Sequence, residues 1–326
     1  MYNQLREILS SDKSIPKDFK RGTKMEVIIP TLNEEQTIGE VIRNIRSSNL
    51  PVALSILVVD GGSTDHTLDI CRKENVRFMI QKVRGKGNGM REAVDQSEAD
   101  IIVFIDGDGT YCPTDLALLL EPLLNDSADM VVGSRIKSKR EKGAISIFNS
   151  FGNRIFNNTI NFAMNSSITD SLSGYRALYR EMFKDLILFS DAFEIEIEMT
   201  VEALAKGYRV LEIPINYGLR KGSNTKLAPL SDGTKIGRTL LFILMNVNPL
   251  KFFGVISLVF FVVALWPITQ ALYEKIFFGE IVSIPAVILA ALLIVTGILS
   301  IVIGMLAELL VRSRRRLEFL INKTRE

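Results

Sequence analysis

Short apolar runs rich in isoleucine and valine alternate with amphipathic stretches over the amino-terminal part of the chain. The runs Met25–Pro30, Leu54–Val59 and Ile101–Ile105 each predict a buried strand. Between them, apolar residues recur at helical spacing, as from Ile38 to Ile45. Strands that alternate with helices predict an α/β domain with a parallel sheet covered on both faces.

Two much longer apolar stretches follow, Phe252–Tyr273 and Ile284–Ala307. A helix needs about 20 apolar residues to cross the hydrocarbon core of a bilayer. The pattern therefore predicts two transmembrane helices and a multi-pass membrane protein. A helical hairpin buried inside a soluble protein is the competing interpretation.

Basic residues flank this pair of stretches. Lys235, Arg238 and Lys251 precede the first, and the Arg312–Arg316 cluster follows the second. Since basic flanks favour the cytosolic side, both ends of the pair are expected there, together with the α/β domain and both termini. The segment Met1–Lys24 is polar and has no apolar run of the length that a signal peptide needs.

These patterns divide the chain into successive parts. We expect a polar segment at 1–24, an α/β domain at 25–230, interfacial or juxtamembrane helices at 231–251, two transmembrane helices at 252–311 and a basic cytosolic tail at 312–326.

Composition narrows the possible functions. With 39 basic and 37 acidic residues the net charge is +2, which gives no case for a nucleic-acid partner. The two cysteines, Cys71 and Cys112, do not suggest a disulfide framework. His66 is the only histidine, so a multi-histidine metal site is excluded, and its position at a predicted helix start favours an ordinary surface residue.

Acidic residues lie just beyond the predicted strands. Glu34 follows the first strand, Asp60 the second, and the pair Asp106 and Asp108 the strand Ile101–Ile105. Open α/β sheets bind ligands at the carboxyl ends of their strands, so these side chains are expected to converge on one crevice. Two carboxylates one residue apart suit a hard divalent cation, Mg²⁺ or Mn²⁺, that would bridge a diphosphate. Alone, each acid could equally be a solvated turn or a helix-capping residue.

The order of these motifs resembles that of inverting family-two glycosyltransferases with a Rossmann-like GT-A fold, and in particular the polyprenyl-phosphate hexose synthases, which include dolichyl-phosphate mannose synthase. The resemblance covers about residues 25–230 and rests on these segments: Pro30-Thr31-Leu32-Asn33-Glu34, Val59-Asp60-Gly61-Gly62-Ser63-Thr64-Asp65, Gly85-Lys86-Gly87-Asn88-Gly89, Asp106-Gly107-Asp108, Gly133-Ser134-Arg135, Asp170-Ser171-Leu172-Ser173-Gly174-Tyr175-Arg176 and Arg220 before Gly222-Ser223-Asn224-Thr225-Lys226.

The resemblance implies a donor site and an acceptor site. The resemblance implies that a UDP- or GDP-linked sugar contacts six donor-site residues: Pro30, Glu34, Asp60, Lys86, Asp106 and Asp108. Of these, Asp106 and Asp108 would bind the metal. The phosphate of dolichol or another polyprenol would meet Arg135, Arg154, Arg176, Arg220 and Ser173, because guanidinium groups bind phosphate bidentately. Catalytic roles fall on Asp108, Arg135 and Arg220. The competing interpretations are a flexible connection for the glycine-rich segment and surface positions for the arginines, Arg154 above all.

The implied reaction moves a hexose from the nucleotide sugar to the lipid phosphate on the cytosolic membrane face. Mannose synthases of this group continue the metal motif as Asp-Ala-Asp-Leu-Gln, whereas this chain has Asp106-Gly107-Asp108-Gly109-Thr110, so glucose or N-acetylglucosamine is at least as plausible as mannose. A membrane polysaccharide synthase is the rival enzyme, although the only tryptophan, Trp266, lies inside the first apolar stretch rather than in a Gln-x-x-Arg-Trp motif. A non-catalytic, membrane-anchored nucleotide-sugar-binding protein is the alternative from another class.

Overall fold

A mixed seven-stranded sheet forms the centre of the amino-terminal unit in the computed structural model, which describes residues 23–48, 50–137, 147–191, 194–219, 245 and 248–323. The chain divides into two units, 1–233 and 234–326. The strands are β1 Lys24–Thr31, β2 Ala53–Asp60, β3 Arg77–Ile80, β4 Ile101–Phe104, β5 Met130–Ser134, β6 Arg176–Tyr179 and β7 Val210–Pro214. They lie in the order β3-β2-β1-β4-β6-β5-β7.

The helices of this unit follow the apolar periodicity of the sequence. They are α1 Ile38–Arg46, α2 Thr67–Lys73, α3 Lys86–Gln96, α4 Leu116–Leu124, α5 Ile147–Met164, α6 Arg180–Asp185 and α7 Ile195–Ala205. In α1, for example, Ile38, Val41, Ile42 and Ile45 are all buried. The predicted α/β class is confirmed.

The prediction of a wholly parallel sheet was wrong in one strand. β6 runs antiparallel to both of its neighbours, β4 and β5, whereas the other paired strands are parallel. The chain enters β6 at the carboxyl edge of the sheet, because Arg176 pairs with Phe104 near the end of β4. The segment before β6 therefore reaches the same edge as the loops after β1, β2, β4 and β5.

Two long apolar helices make up the described part of the second unit, α8 Pro249–Phe278 and α9 Ile284–Lys323. Asn248 caps α8 by accepting a hydrogen bond from the Lys251 N–H at 3.3 Å, and Gly279 ends it in the left-handed region at φ 77°. Both helices are long and apolar enough to cross a membrane, and only 17% of the most apolar window of each is buried. The predicted segment 231–251 lies almost entirely outside the described residues.

Candidate functional site

The loops that follow β1 and β2 hold each other in place. The Thr64 N–H donates to Asn33 Oδ1 at 2.8 Å, and Asn33 occupies the left-handed region at φ 55°. The Glu35 carboxylate accepts a hydrogen bond from the His66 N–H at 3.0 Å. The Asp65 carboxylate in turn accepts one from the Glu35 N–H at 3.2 Å. Because each loop supplies donors to the other, the two loops form one hydrogen-bonded wall at the carboxyl edge of the sheet.

Asp60 holds the turn after β2 by hydrogen bonds. Its carboxylate is fully buried and accepts from the N–H groups of Gly62 and Ser63 at 2.9 and 2.8 Å, and from Ser63 Oγ at 2.5 Å. These hydrogen bonds build the turn after β2, and the contact of Asp60 with a donor stays a prediction. Pro30 and Glu34 lie half-buried at the same edge, at and just beyond the end of β1.

The acidic turn after β4 sits against the first loop. Thr37 Oγ1 donates to the Gly107 carbonyl at 2.7 Å. A Cβ on Gly107 would lie 2.6 Å from Thr31 Cγ2, so only glycine allows this close approach. Asp108 Oδ1 accepts from the N–H and the hydroxyl of Thr110 at 3.1 and 2.6 Å. The two carboxylates are thus held on a fixed turn at the edge of the crevice.

Lys86 bridges this turn to helix α7. Its Nζ lies 2.5 Å from Asp106 Oδ1 and 2.6 Å from Glu196 Oε1, and its side chain is only 11% exposed. Burial alone would lower the pKa of Lys86, but the charges of Asp106 and Glu196 raise it above its ordinary value. The ammonium is therefore charged at neutral pH and rests beside one of the predicted metal ligands.

The glycine-rich segment around Lys86 packs on the loop 188–191. A Cβ on Gly87 would lie 2.1 Å from the Ser190 carbonyl oxygen, and a Cβ on Gly85, at φ 123°, would lie 2.1 Å from that of Asp191. The Gly87 N–H donates to the Asp191 carbonyl at 2.9 Å. These glycines have a packing reason, which favours a fixed position for Lys86 over the flexible connection that the sequence also allowed.

Arg135 lies at the same edge, directly after β5, and pairs with Asp170. Its Nε and Nη2 donate to the two carboxylate oxygens at 2.9 and 2.7 Å. The side chain is 15% exposed, and its guanidinium carbon lies 5.5 Å from the Tyr217 ring centroid. Burial opposes the charge, but Tyr111 and Asp170 raise the pKa of Arg135 above its ordinary value. A bound phosphate would therefore meet an oriented, permanent cation.

Two of the predicted acceptor residues, Arg176 and Ser173, make their hydrogen bonds inside the protein. Arg176 is fully buried and donates to the carbonyls of Ser171 and Ser173 and to Thr200 Oγ1, at 2.5, 2.8 and 2.8 Å. Burial lowers the pKa of Arg176 to about 10, so the group stays charged at neutral pH. Ser173 is also fully buried, and its hydroxyl donates to the Gly133 carbonyl at 2.5 Å. These polar atoms hold the loop before β6, which does not favour phosphate binding by either side chain, and their assignment as phosphate ligands stays a prediction.

The remaining two predicted acceptor residues are Arg154 and Arg220. Arg154 is exposed on α5. Arg220 lies outside the described residues. Both stay predictions.

Comparison with known proteins identifies the family. The model of glycosyl transferase family 2 matches residues 26–187. Glycosyltransferase AglJ of Haloferax volcanii is 36% identical over 285 residues, covering 84% of this chain and 91% of the relative. The chain belongs to glycosyl transferase family 2.

Two further matches bear on its relatives and on its fold. The dolichyl-phosphate hexose transferase of Haloferax volcanii is 32% identical over 219 residues, which cover 67% of this glycosyltransferase and 92% of that protein. Glucosyl-3-phosphoglycerate synthase from Mycobacterium tuberculosis, solved with Mn²⁺, uridine diphosphate and glucosyl-3-phosphoglycerate, superposes with a TM-score of 0.54 at 23% identity. That likeness covers 74% of this chain and 81% of the other and confirms the fold.

The acidic turn of the glycosyltransferase has the donor chemistry for a divalent cation. No group of three or more histidine, cysteine, aspartate or glutamate side chains is arranged around a metal position within the described ranges. Mg²⁺ and similar ions commonly take only one or two carboxylates from the protein and complete their shell with substrate phosphates and water. A Cβ on Gly174 would lie 2.7 Å from Asp106 Oδ2, so the glycine keeps space beside this carboxylate. Asp106 and Asp108 therefore fit such an ion.

Sequence reasoning missed an asparagine ladder on α5. Asn153, Asn157 and Asn161 donate in turn to Asp170 Oδ1, to the Thr169 carbonyl and to the Ile168 carbonyl. These asparagines are four residues apart and so share one helix face, a spacing that is visible in the sequence. The ladder fixes the loop that carries Asp170 and, through it, the orientation of Arg135.

Proposed function

We propose that this glycosyltransferase moves a hexose from a UDP- or GDP-linked donor to dolichyl phosphate or another polyprenyl phosphate, with inversion, at the cytosolic face of a membrane. The observation that carries the proposal is the combination, in one chain, of an acidic turn at the sheet's ligand edge with two helices of membrane-spanning length. The relative that acts as a dolichyl-phosphate hexose transferase supports the acceptor class.

The donor half of the site would hold the diphosphate of the nucleotide sugar. Asp106 and Asp108 would bind Mg²⁺ or Mn²⁺, which neutralises charge on the leaving diphosphate when bound. Lys86, at the start of α3, lies beside Asp106 and would add a second cation near the position of the phosphates. The solved synthase with Mn²⁺ and uridine diphosphate supports this donor chemistry as a proposal for the present chain.

The acceptor half needs positioning more than proton removal. A phosphate monoester has a second pKa of about 6 and is already largely dianionic at neutral pH. Its oxygen would attack the anomeric carbon, the bond from that carbon to the donor diphosphate would break, and the nucleoside diphosphate would leave with the electron pair. No proton has to move. His66, whose side chain is 81% exposed and contacts Asp69, is accordingly not needed as a base.

Arg135 would orient the attacking phosphate. Asp170 fixes two of its nitrogens, so the guanidinium plane is set before the acceptor arrives. Arg220 and Arg154 are the further arginines proposed for this phosphate. Delivery of a lipid-borne phosphate fits the orientation proposed from the basic flanks, with the catalytic unit and both termini in the cytosol.

The test is transfer by the purified full chain in detergent. Dolichyl phosphate and a bacterial-type polyprenyl phosphate would each be offered with UDP-glucose, UDP-N-acetylglucosamine and GDP-mannose, and products would be separated by mass. A single sugar attached to the lipid phosphate is the expected product. A long glycan would support a polysaccharide synthase instead, and nucleotide-sugar binding without any transfer would support a non-catalytic role.

A further inference from the structure

Glu196 lies beneath the candidate metal turn, and no sequence motif pointed to it. It is in the first turn of α7 and is 3% exposed. Its Oε1 pairs with Lys86 Nζ at 2.6 Å, while its Oε2 is buried without a hydrogen-bond partner among the described residues. A buried carboxylate with one unsatisfied oxygen is costly for folding, so its presence calls for a reason other than stability.

The charges around Glu196 show what it can do. Lys86 carries one positive charge and contacts two carboxylates, Glu196 on α7 and Asp106 on the acidic turn. A cation that binds Asp106 must compete with the ammonium for that carboxylate. Glu196 offers the ammonium a second partner in the same place, which weakens its hold on Asp106.

We infer that Glu196 is a positioning residue: it keeps the Lys86 ammonium beside the acidic turn when a divalent cation replaces the ammonium on Asp106. Without the Glu196 charge, Lys86 would be held more strongly by Asp106 and would oppose the incoming cation more strongly. With it, Lys86 stays within reach of the diphosphate after the exchange. The inference rests on the proposed metal-assisted transfer, but it concerns cation binding rather than turnover.

The experiment measures Mn²⁺ affinity by calorimetry on the full chain in detergent, first without nucleotide and then with a constant concentration of UDP or GDP, because substrate phosphates complete the shell of such an ion. Glu196→Gln keeps the shape and removes the charge, and we expect Mn²⁺ to bind about tenfold more weakly, which corresponds to about 1.4 kcal/mol. Glu121→Gln on the exposed side of α4 is the matched control and should leave the affinity unchanged. Thermal melting of each variant without metal reports whether the fold is kept.

A double-mutant cycle separates this role from a simple loss of negative charge near the metal. If Glu196 acts through Lys86, Glu196→Gln should have little effect on Mn²⁺ affinity once Lys86 is replaced by methionine. An undiminished tenfold loss in the Lys86→Met background would overturn the inference, as would unchanged affinity in the single variant. If Lys86→Met does not fold, Lys86→Gln, which keeps an N–H donor, takes its place.

The outcomes also distinguish the inference from the proposed function. A wild-type chain that binds Mn²⁺, shows the expected cycle and yet transfers no sugar would contradict the function alone. A wild-type chain that binds no Mn²⁺ would contradict both the metal assignment and the role of Glu196.

Discussion

Replacing Arg176 with lysine should destabilise the catalytic unit rather than weaken phosphate binding. Arg176 is fully buried and donates to two backbone carbonyls and one hydroxyl. A lysine ammonium has no planar fork and could keep one of these three bonds at best. Each lost hydrogen bond to a charged group costs about 1.5–3 kcal/mol, so two lost bonds cost about 3–6 kcal/mol.

That loss is a large share of the about 5–15 kcal/mol that stabilises a typical native protein. For a unit of this size it corresponds to a fall of roughly 10 °C or more in melting temperature. The assay is thermal unfolding followed by circular dichroism, with Arg154→Lys as the control, because Arg154 is exposed and its substitution should shift stability by no more than about 0.5 kcal/mol. An Arg176→Lys variant with an unchanged melting temperature and a large loss of transfer would refute this reasoning and restore Arg176 as a phosphate ligand.

The remaining predictions concern packing, the acceptor and topology. Gly87→Ala should destabilise the unit by about 1–3 kcal/mol in thermal melts, because its Cβ would meet the Ser190 carbonyl. Gly218→Ala is the control, since its Cβ would make only an ordinary contact at 3.9 Å, and equal melting temperatures of the two variants would contradict the prediction. Arg135→Lys should lower lipid-dependent transfer about 10- to 150-fold through loss of a charged hydrogen bond while calorimetric nucleotide-sugar affinity changes little; an equal loss of affinity would assign Arg135 to the donor. In a chain whose Cys71 and Cys112 are replaced by serine, a cysteine introduced as Gly279→Cys should be labelled only from the side opposite the cytosol, and its labelling from the cytosol would contradict two spans.

The sequence was sufficient to predict the strands that carry acids. β1, β2 and β4 are compact apolar runs, and Glu34, Asp60 and Asp106 follow them at the edge where parallel strands end. Local pattern and general topology determine both the elements and the edge, so no long-range contact had to be known. The two long apolar helices were predictable for the same reason.

The antiparallel strand and the polar network around it could not be predicted in this way. The direction of β6 depends on where the preceding loop delivers the chain, and that loop is fixed by side chains distant in sequence, such as Glu212, which accepts from the N–H groups of Thr169 and Asp170. Burial of Arg176 follows from this arrangement. A motif shows that an arginine is present, but it does not show whether its guanidinium faces a ligand or a backbone carbonyl.

The contact of Lys86 with Glu196 lay beyond sequence reasoning as well. The two residues are 110 positions apart in the chain, and Glu196 begins a helix whose acidic first turn is explained equally well by the helix dipole. Only the fold brings Lys86 of α3 against Glu196 of α7.

The most direct test of the central claim is sugar transfer by Asp108→Asn beside the wild type, on full chains in detergent with dolichyl phosphate, Mn²⁺ and the donor identified in the panel. Asp108 lies on a half-buried turn, so the variant should fold and melt like the wild type. The account predicts that the wild type forms a lipid-phosphate-linked sugar only when both Mn²⁺ and dolichyl phosphate are present, and that Asp108→Asn nearly abolishes it. Wild-type turnover by the variant with the same metal dependence would contradict the assignment of the site.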